Sequence, residues 1–153
     1  MIPLAKAAQP AAIAVLRQAT ALKPKRKKAS DGLLPSKAHL SKNPNSDHNS
    51  GFACDLTHDP KDGIDCRQAF IELQSDPRVK YLIFQGRIWS KEKGDREFGG
   101  YAHPHHLHIS IKEDCGKDTS PWFSWLGKPK VVNKVKAIIP KPLPKKKGKD
   151  ESN

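Results

Sequence analysis

The chain has 153 residues and a formal net charge of +12, with 28 lysine and arginine residues against 16 aspartate and glutamate residues. This length suits one domain, and the sequence has no run of about 18 apolar residues that would span a membrane. Three cysteines without CxxC spacing argue against a disulfide framework or a cysteine zinc finger, and predict reduced thiols.

The first 22 residues predict an amphipathic helix after Pro10. Apolar residues such as Ile13 and Leu16 recur there at helical spacing. An apolar stretch after Lys6 also resembles a secretory signal, but it is mostly alanine and is interrupted by Pro10. We therefore expect a helix at this end of the domain.

Residues 23–45 predict irregular chain because turn-forming residues dominate them. A segment with the sequence SDG, at residues 30–32, belongs to this part. Runs of like charge are typical of solvated chain, or they attract a polyanion such as nucleic acid or an anionic cell envelope. One such run opens this region and consists of Lys23, Lys25, Arg26, Lys27 and Lys28.

Residues 46–55 have the sequence SDHNSGFACD, in which a turn precedes an extended segment. Gly51 provides the backbone freedom that the turn requires. Ala53 and Asp55 then point to one side of a strand, because strand side chains alternate. Such a turn and strand can bring His48 and Asp55 to one metal ion.

The sequence then predicts one helix and three strands, which cover residues 66–74, 79–84, 87–89 and 107–111. Asp65 can cap the helix, and a tight turn at residues 85–86 joins the first two strands. Residues 91–100 are charged and glycine-rich, and predict a mobile loop beside a cleft.

Residues 103–108 have the sequence HPHHLH. His106 and His108 are two residues apart, and therefore face one side of a strand. Zinc binds imidazole nitrogen and carboxylate oxygen, and a catalytic site keeps three protein ligands and one open position. His48, Asp55 and His108 form such a set, so the sequence predicts a Zn²⁺ centre.

The C-terminal part of the chain changes character at Gly127. Before it, Trp122, Phe123 and Trp125 are expected to pack in the core. Beyond it, lysine and proline dominate, and they predict a basic, disordered tail over residues 128–153.

The pattern Ser-x-His-x-x-Gly-x-Ala-x-Asp, filled by Ser46, His48, Gly51, Ala53 and Asp55, resembles the signature of the M15 peptidases. These are zinc D-Ala-D-Ala carboxypeptidases and L-alanyl-D-glutamate endopeptidases that share a fold with the Hedgehog signalling domain. The resemblance implies an α+β fold, with a small antiparallel sheet and flanking helices. We expect an N-terminal helix, a peptidase domain and a tail, over residues 1–22, 23–127 and 128–153.

The resemblance also implies roles for the second histidine group. His103, His106 and His108 form His-x-x-His-x-His, which is similar to the cluster of the penicillin-insensitive murein endopeptidases. Many M15 enzymes carry a carboxylate general base shortly before the last zinc histidine, where this chain has His105. We therefore expect His106, assisted by His103, to be the general base.

Two residues are candidates for substrate binding. The planar guanidinium of Arg87 suits a substrate carboxylate, and similar phage proteins often show a Gly-Arg-Ile segment; Ser46 lies in the metal loop. The implied function is a zinc-dependent peptidase that cleaves peptidoglycan peptides, as the endolysin of a phage or prophage. We expect a monomer made in the bacterial cytoplasm that acts at the cell wall, with the basic tail on the anionic envelope.

Three other functions remain open. A non-catalytic zinc-binding module of the same fold, binding cell wall or protein, would account for the missing carboxylate. A 2H-type phosphoesterase would use two His-x-Ser motifs, at His39 and His108, without metal; the residues around His39 lack the apolar strand that it requires. Nucleic-acid binding through the lysines would show a steep salt dependence.

Overall fold

The fold is α+β, and a computed structural model describes residues 8–33, 47–100 and 102–126. These residues contain a five-stranded antiparallel sheet and two α-helices. The helices are α1 (Pro10–Leu22) and α2 (Cys66–Glu72). The strands are β1 (Ala53–Thr57), β2 (Val79–Phe84), β3 (Arg87–Ser90), β4 (Gly94–Glu97) and β5 (His106–Ile111), in the spatial order β1-β5-β2-β3-β4.

The chain divides into two compact units, and the boundary between them along the chain falls after Phe123. The first unit holds the helices and the sheet. Of the second, the structure describes only residues 124–126, so the predicted tail over residues 128–153 lies outside the described residues. Among the residues described, no helix combines the length and apolar character needed to cross a bilayer.

Helix α1 lies where the sequence predicts an N-terminal helix. Pro10 occupies its first turn, where the fixed φ of proline suits a helix and no amide hydrogen is needed. Small residues line its buried side, and this lets the helix pack closely against β1. These residues are Ala11, Ala12, Ala14, Val15 and Ala19.

The predicted tight turn between β2 and β3 is present. Gln85 and Gly86 have φ values of 47° and 81°, as a two-residue hairpin turn of type I′ requires. The turn sets the register in which Phe84 pairs with Arg87 and Ile83 with Ile88. It thereby decides which side chains of β3 share a face with β2.

The predicted mobile loop over residues 91–100 is wrong for Gly94–Glu97, which form β4. Arg96 pairs with Ile88 and Glu97 with Arg87. Charged side chains are common on edge strands, where they discourage pairing with other chains. Such a strand lacks the alternation of apolar and polar residues by which a strand is recognised in a sequence.

The register separates the sheet into two faces. Asp55, His108 and Ile83 are successive cross-strand partners, and side chains of such partners lie side by side. We call their side the histidine face. The opposite, core face carries a fully buried row of Cys54, Ile109 and Leu82.

Trp122, which follows β5 in the chain, connects α1 to the rest of the first unit. The Trp122 indole donates a hydrogen bond to the carbonyl of Ala11 at 3.1 Å, and its backbone amide donates to Gln18 at 2.8 Å. The Arg78 guanidinium lies 3.6 Å from the Trp122 ring centroid and binds Asp76 at 2.7 Å. Trp122 and Phe123 are buried, as predicted for core aromatics, whereas Trp125 is only half-buried.

Replacing Trp122 by alanine is expected to lower the free energy of unfolding by about 3–5 kcal/mol, the usual cost of removing a buried tryptophan. Urea denaturation followed by circular dichroism measures this change. Leu22→Ala is the control, because Leu22 is 51% exposed and its loss should cost about 0.5 kcal/mol or less. Equal stability of Trp122→Ala and the parent would contradict the fastening role.

Candidate metal centre

Three elements bring the predicted metal ligands together. His48 lies in a short 3₁₀ turn over Asp47–Ser50, Asp55 on β1 and His108 on β5. Gly51, with a φ of 82°, ends the turn and directs the chain into β1. One nitrogen of each histidine and one carboxylate oxygen all lie within 4.8 Å of one another.

The geometry around Asp55 suits a divalent metal such as zinc. Its Oδ1 atom is 3.1 Å from His48 Nε2 and 3.4 Å from His108 Nδ1. The two histidines are buried, whereas 21% of the Asp55 side chain is exposed. Two imidazole nitrogens and one carboxylate, open on one side, form a donor set found in catalytic zinc sites.

The outer nitrogen of His48 is held by the main chain. Its Nδ1 lies 2.7 Å from the carbonyl oxygen of Leu33 and donates a hydrogen bond to it, which leaves Nε2 directed at Asp55. Burial opposes protonation of this ring, but the hydrogen bond and charge of Asp55 outweigh burial and raise the pKa of His48. A metal ion at Nε2 would take the place of that proton.

The same segment fixes Asp55. Gly32 pairs with Asp55 through two backbone hydrogen bonds of 2.8 and 3.1 Å. A Cβ atom on Gly32 would lie 3.3 Å from Asp55 Oδ2, so only glycine leaves the carboxylate undisturbed. The Ser-Asp-Gly segment therefore pairs with β1 and helps to place Asp55.

An ion pair between Asp31 and Arg26 holds the Ser-Asp-Gly segment in place. The Asp31 carboxylate binds Arg26 at 2.6 Å and accepts hydrogen bonds from the amide and hydroxyl of Thr57. Arg26 is 5% exposed. Although it belongs to the predicted basic cluster, its charge is committed to Asp31 and is not available to a polyanion; Lys25, Lys27 and Lys28 are exposed.

The side chains of Ser110 and Tyr81 hold the His108 ring in place. Its Nε2 is 2.7 Å from Ser110 Oγ, and Ser110 is fully buried. Tyr81 stacks on the His108 ring, with centroids 5.3 Å apart, and hydrogen-bonds Ser110. Partners of this kind orient a ligand histidine and select the nitrogen that faces the metal.

The two predicted catalytic histidines lie beside this centre. His106 Nε2 is 3.6 Å from Asp55 Oδ1, and the His103 ring lies 5.1 Å from that of His106 and 5.6 Å from that of His108. Burial lowers the pKa of His106, and the nearby His108 and His48 add to this against the pull of Asp55. His106 is therefore neutral near pH 7 and able to accept a proton.

Asp55 holds its negative charge firmly. Burial acts to raise its pKa, but hydrogen bonds from His108 and His48 prevail and lower it below the usual range of a carboxyl group. The carboxylate is therefore ionised over the whole physiological pH range and available to a cation.

Of the two predicted substrate-binding residues, Arg87 is not brought to this centre. Ile88 pairs with Ile83 and so lies on the histidine face. Because side chains alternate along a strand, the adjacent Arg87 side chain lies on the core face. The Arg87 guanidinium binds Asp95 at 2.7 Å. Ser46 and His39 lie outside the described residues.

Sequence analysis missed the groups that orient the ligands. Ser110 follows His108 by two residues on the same strand, so alternation alone would have placed it beside that histidine. The hydrogen bond from His48 to the Leu33 carbonyl could not be predicted in this way, because every residue has a backbone carbonyl, whatever its side chain.

A family model described as "VldE, C-terminal domain" matches residues 5–109. The chain belongs to this family. Searches of curated proteins and of solved structures found no match. The part that matches the VldE C-terminal domain contains all three predicted metal ligands, His103 and His106, and ends just before Ser110.

In this VldE C-terminal domain, Gly32→Ala is expected to weaken zinc binding about tenfold, because the new Cβ displaces the Asp55 carboxylate. Competition with a chromophoric chelator measures the dissociation constant. Gly99→Ala is the matched control, since a Cβ at Gly99 meets no atom within 4 Å. If both variants bound zinc as tightly as the parent, Gly32 would have no part in placing Asp55.

Ser110→Ala is expected to weaken zinc binding about 10–100-fold, the usual effect of losing a group that orients a ligand histidine. ¹⁵N NMR of the imidazoles gives a second readout, because His108 loses the partner that fixes its tautomer. Ser120→Ala, which removes an exposed hydroxyl bound to Asp118, serves as the control. An unchanged His108 spectrum in Ser110→Ala would contradict this role.

Proposed function

We propose that this domain is a zinc-dependent peptidase that cleaves the peptides of bacterial peptidoglycan. The observation that carries the proposal is the convergence of His48, Asp55 and His108 within 4.8 Å, with His106 and His103 on the adjoining surface. The proposal includes kinship with the M15 peptidases and a Hedgehog/DD-peptidase-like fold. The α+β fold and the antiparallel sheet that carries the centre are consistent with both.

The chemistry requires a ligand set and a base. His48 Nε2, Asp55 and His108 Nδ1 would hold the zinc ion, which when bound polarises a carbonyl and lowers the pKa of a bound water from 15.7 to about 7. His106 is neutral and 15% exposed in its side chain, and it would accept the proton of that water. The ring nitrogen of His106 that takes up this proton would then donate it to the leaving amine.

The positions of the remaining groups support Asp55 as a metal ligand and His106 as the general base. Asp55 is the carboxylate nearest the histidine cluster among the described residues, and it belongs to the ligand set. His105, which occupies the position of the M15 carboxylate, is exposed, and its backbone carbonyl accepts a hydrogen bond from His58. A histidine base at His106 therefore fits the described contacts better than one at His105.

We further propose that the protein acts as a phage or prophage endolysin, made in the host cytoplasm and directed to the cell wall. The exposed lysines Lys25, Lys27 and Lys28 add positive charge to the domain. Together with the lysine-rich C-terminal sequence, they would favour an anionic envelope.

The second candidate is a non-catalytic zinc-binding module that recognises cell wall or protein. It is favoured by one observation: the chain has His105 where many M15 enzymes have a carboxylate base. Such a module binds zinc without cleaving peptide bonds.

Digestion of purified peptidoglycan by the zinc-loaded protein, with mass spectrometry of the fragments, separates these functions. His106→Gln is expected to bind zinc like the parent but to release fragments about 10²–10⁴-fold more slowly, the usual contribution of a general base. His105→Gln is the matched control, and should cleave at the parent rate.

His108→Ala, which removes a ligand, should lose both zinc and cleavage, and a chelator should abolish release by the parent. Stoichiometric zinc binding with no release from several wall types would overturn the peptidase proposal and favour the binding module. Cleavage by His106→Gln at the parent rate would show that another group is the base.

A further inference from the structure

One row of side chains crosses the sheet from the metal centre to its far edge. Its members are cross-strand partners, so neighbours lie side by side on the histidine face. The row consists, in spatial order, of Asp55, His108, Ile83, Ile88 and Arg96.

The chemistry changes along this row in three steps. Metal ligands stand at one end, where Asp55 and His108 meet. Ile83 and Ile88 give the middle an apolar floor, of which Ile88 is partly exposed. Arg96, on the edge strand β4, places a positive charge at the other end.

Arg96 differs from three other arginines that the structure describes. Arg26, Arg78 and Arg87 each bind an aspartate at 2.6–2.7 Å. Within the described part of the chain, the Arg96 guanidinium instead makes two long hydrogen bonds to neutral oxygens. These go to Ser90 Oγ at 3.4 Å and to the carbonyl of Gly94 at 3.3 Å.

A partly buried guanidinium without a carboxylate is suited to an incoming anion, because it offers a planar fork of donors. Ser90 keeps the side chain on the histidine face, since Ser90 pairs with Tyr81, the residue that stacks on His108. The charge is therefore directed along the surface that leads to the metal centre.

We propose that Arg96 binds a carboxylate of the peptide substrate and so selects acidic peptides. This inference rests on the proposed peptidase function and specifies its substrate. The Arg96 guanidinium contacts Ser90 Oγ at 3.4 Å and therefore lies over β3. Strand β3 is two strands from β5, and two strand spacings correspond to about 10 Å. An extended peptide advances about 3.3 Å per residue, so the carboxylate lies about three residues from the bond that is cut.

This assignment transfers the role expected of Arg87 to Arg96. The two residues lie on neighbouring strands but on opposite faces, and Arg87 is neutralised by Asp95. They therefore form a discriminating pair of variants, each of which removes one guanidinium from the same hairpin region.

The test measures peptide binding by calorimetry in zinc-loaded protein that carries His106→Gln to prevent turnover. The probe is a synthetic wall pentapeptide that contains D-glutamate and ends in D-Ala-D-Ala, as the free acid and with its carboxylates amidated. Arg96→Ala is expected to raise the Kd of the acid peptide about 10–100-fold, the effect of one charge-assisted pair. It should leave the Kd of the amidated peptide unchanged.

Arg87→Ala should leave both dissociation constants unchanged, and Arg96→Lys, which retains charge without the fork, should give an intermediate Kd for the acid peptide. Unaltered binding of the acid peptide by Arg96→Ala, a loss confined to Arg87→Ala, or no binding by the parent would overturn the inference.

Cleavage of the same peptide by protein with native His106 separates this inference from the proposed function. Arg96-dependent binding without cleavage supports the carboxylate site and contradicts the peptidase. Cleavage with the same KM in Arg96→Ala and the parent supports the peptidase and contradicts the carboxylate site.

Discussion

The histidine face depends on the carboxylate of Asp55. One oxygen of this group lies within 3.6 Å of nitrogens from His48, His106 and His108, while its backbone joins β1 to Gly32 on one side and to β5 on the other. The position of the carboxylate is thus set by the sheet itself rather than by a flexible loop. A metal ion that replaces protons at these nitrogens would therefore meet a carboxylate that is already in position.

Neutral groups contact the outer nitrogens of the two candidate ligand rings. A carbonyl oxygen at Leu33 and a hydroxyl at Ser110 occupy the outer nitrogens of His48 and His108. With both rings neutral, the three candidate ligands carry the single negative charge of Asp55. A divalent ion bound there would keep a positive charge, which is the state that best polarises a carbonyl and acidifies water.

Sequence reasoning could predict the candidate ligand set, because this set depends on local rules. The turn at Gly51, the alternation along β1 and the spacing of His106 and His108 each follow from backbone geometry. It failed for β4, whose charged residues carry no apolar alternation. It also misplaced Arg87, because the face of a strand is set by a register that only pairing across the sheet reveals.

Two of the candidate ligands come from a turn and the outer strand that follows it, whereas the third comes from a central strand much further along the chain. An ion held by all three would therefore act as a cross-link that the unfolded chain cannot form. By mass action, free zinc at 1,000 times its dissociation constant would stabilise the fold by about 4 kcal/mol. Metal supply and acidity, through the protons that compete for His48, would then shift the stability of the fold.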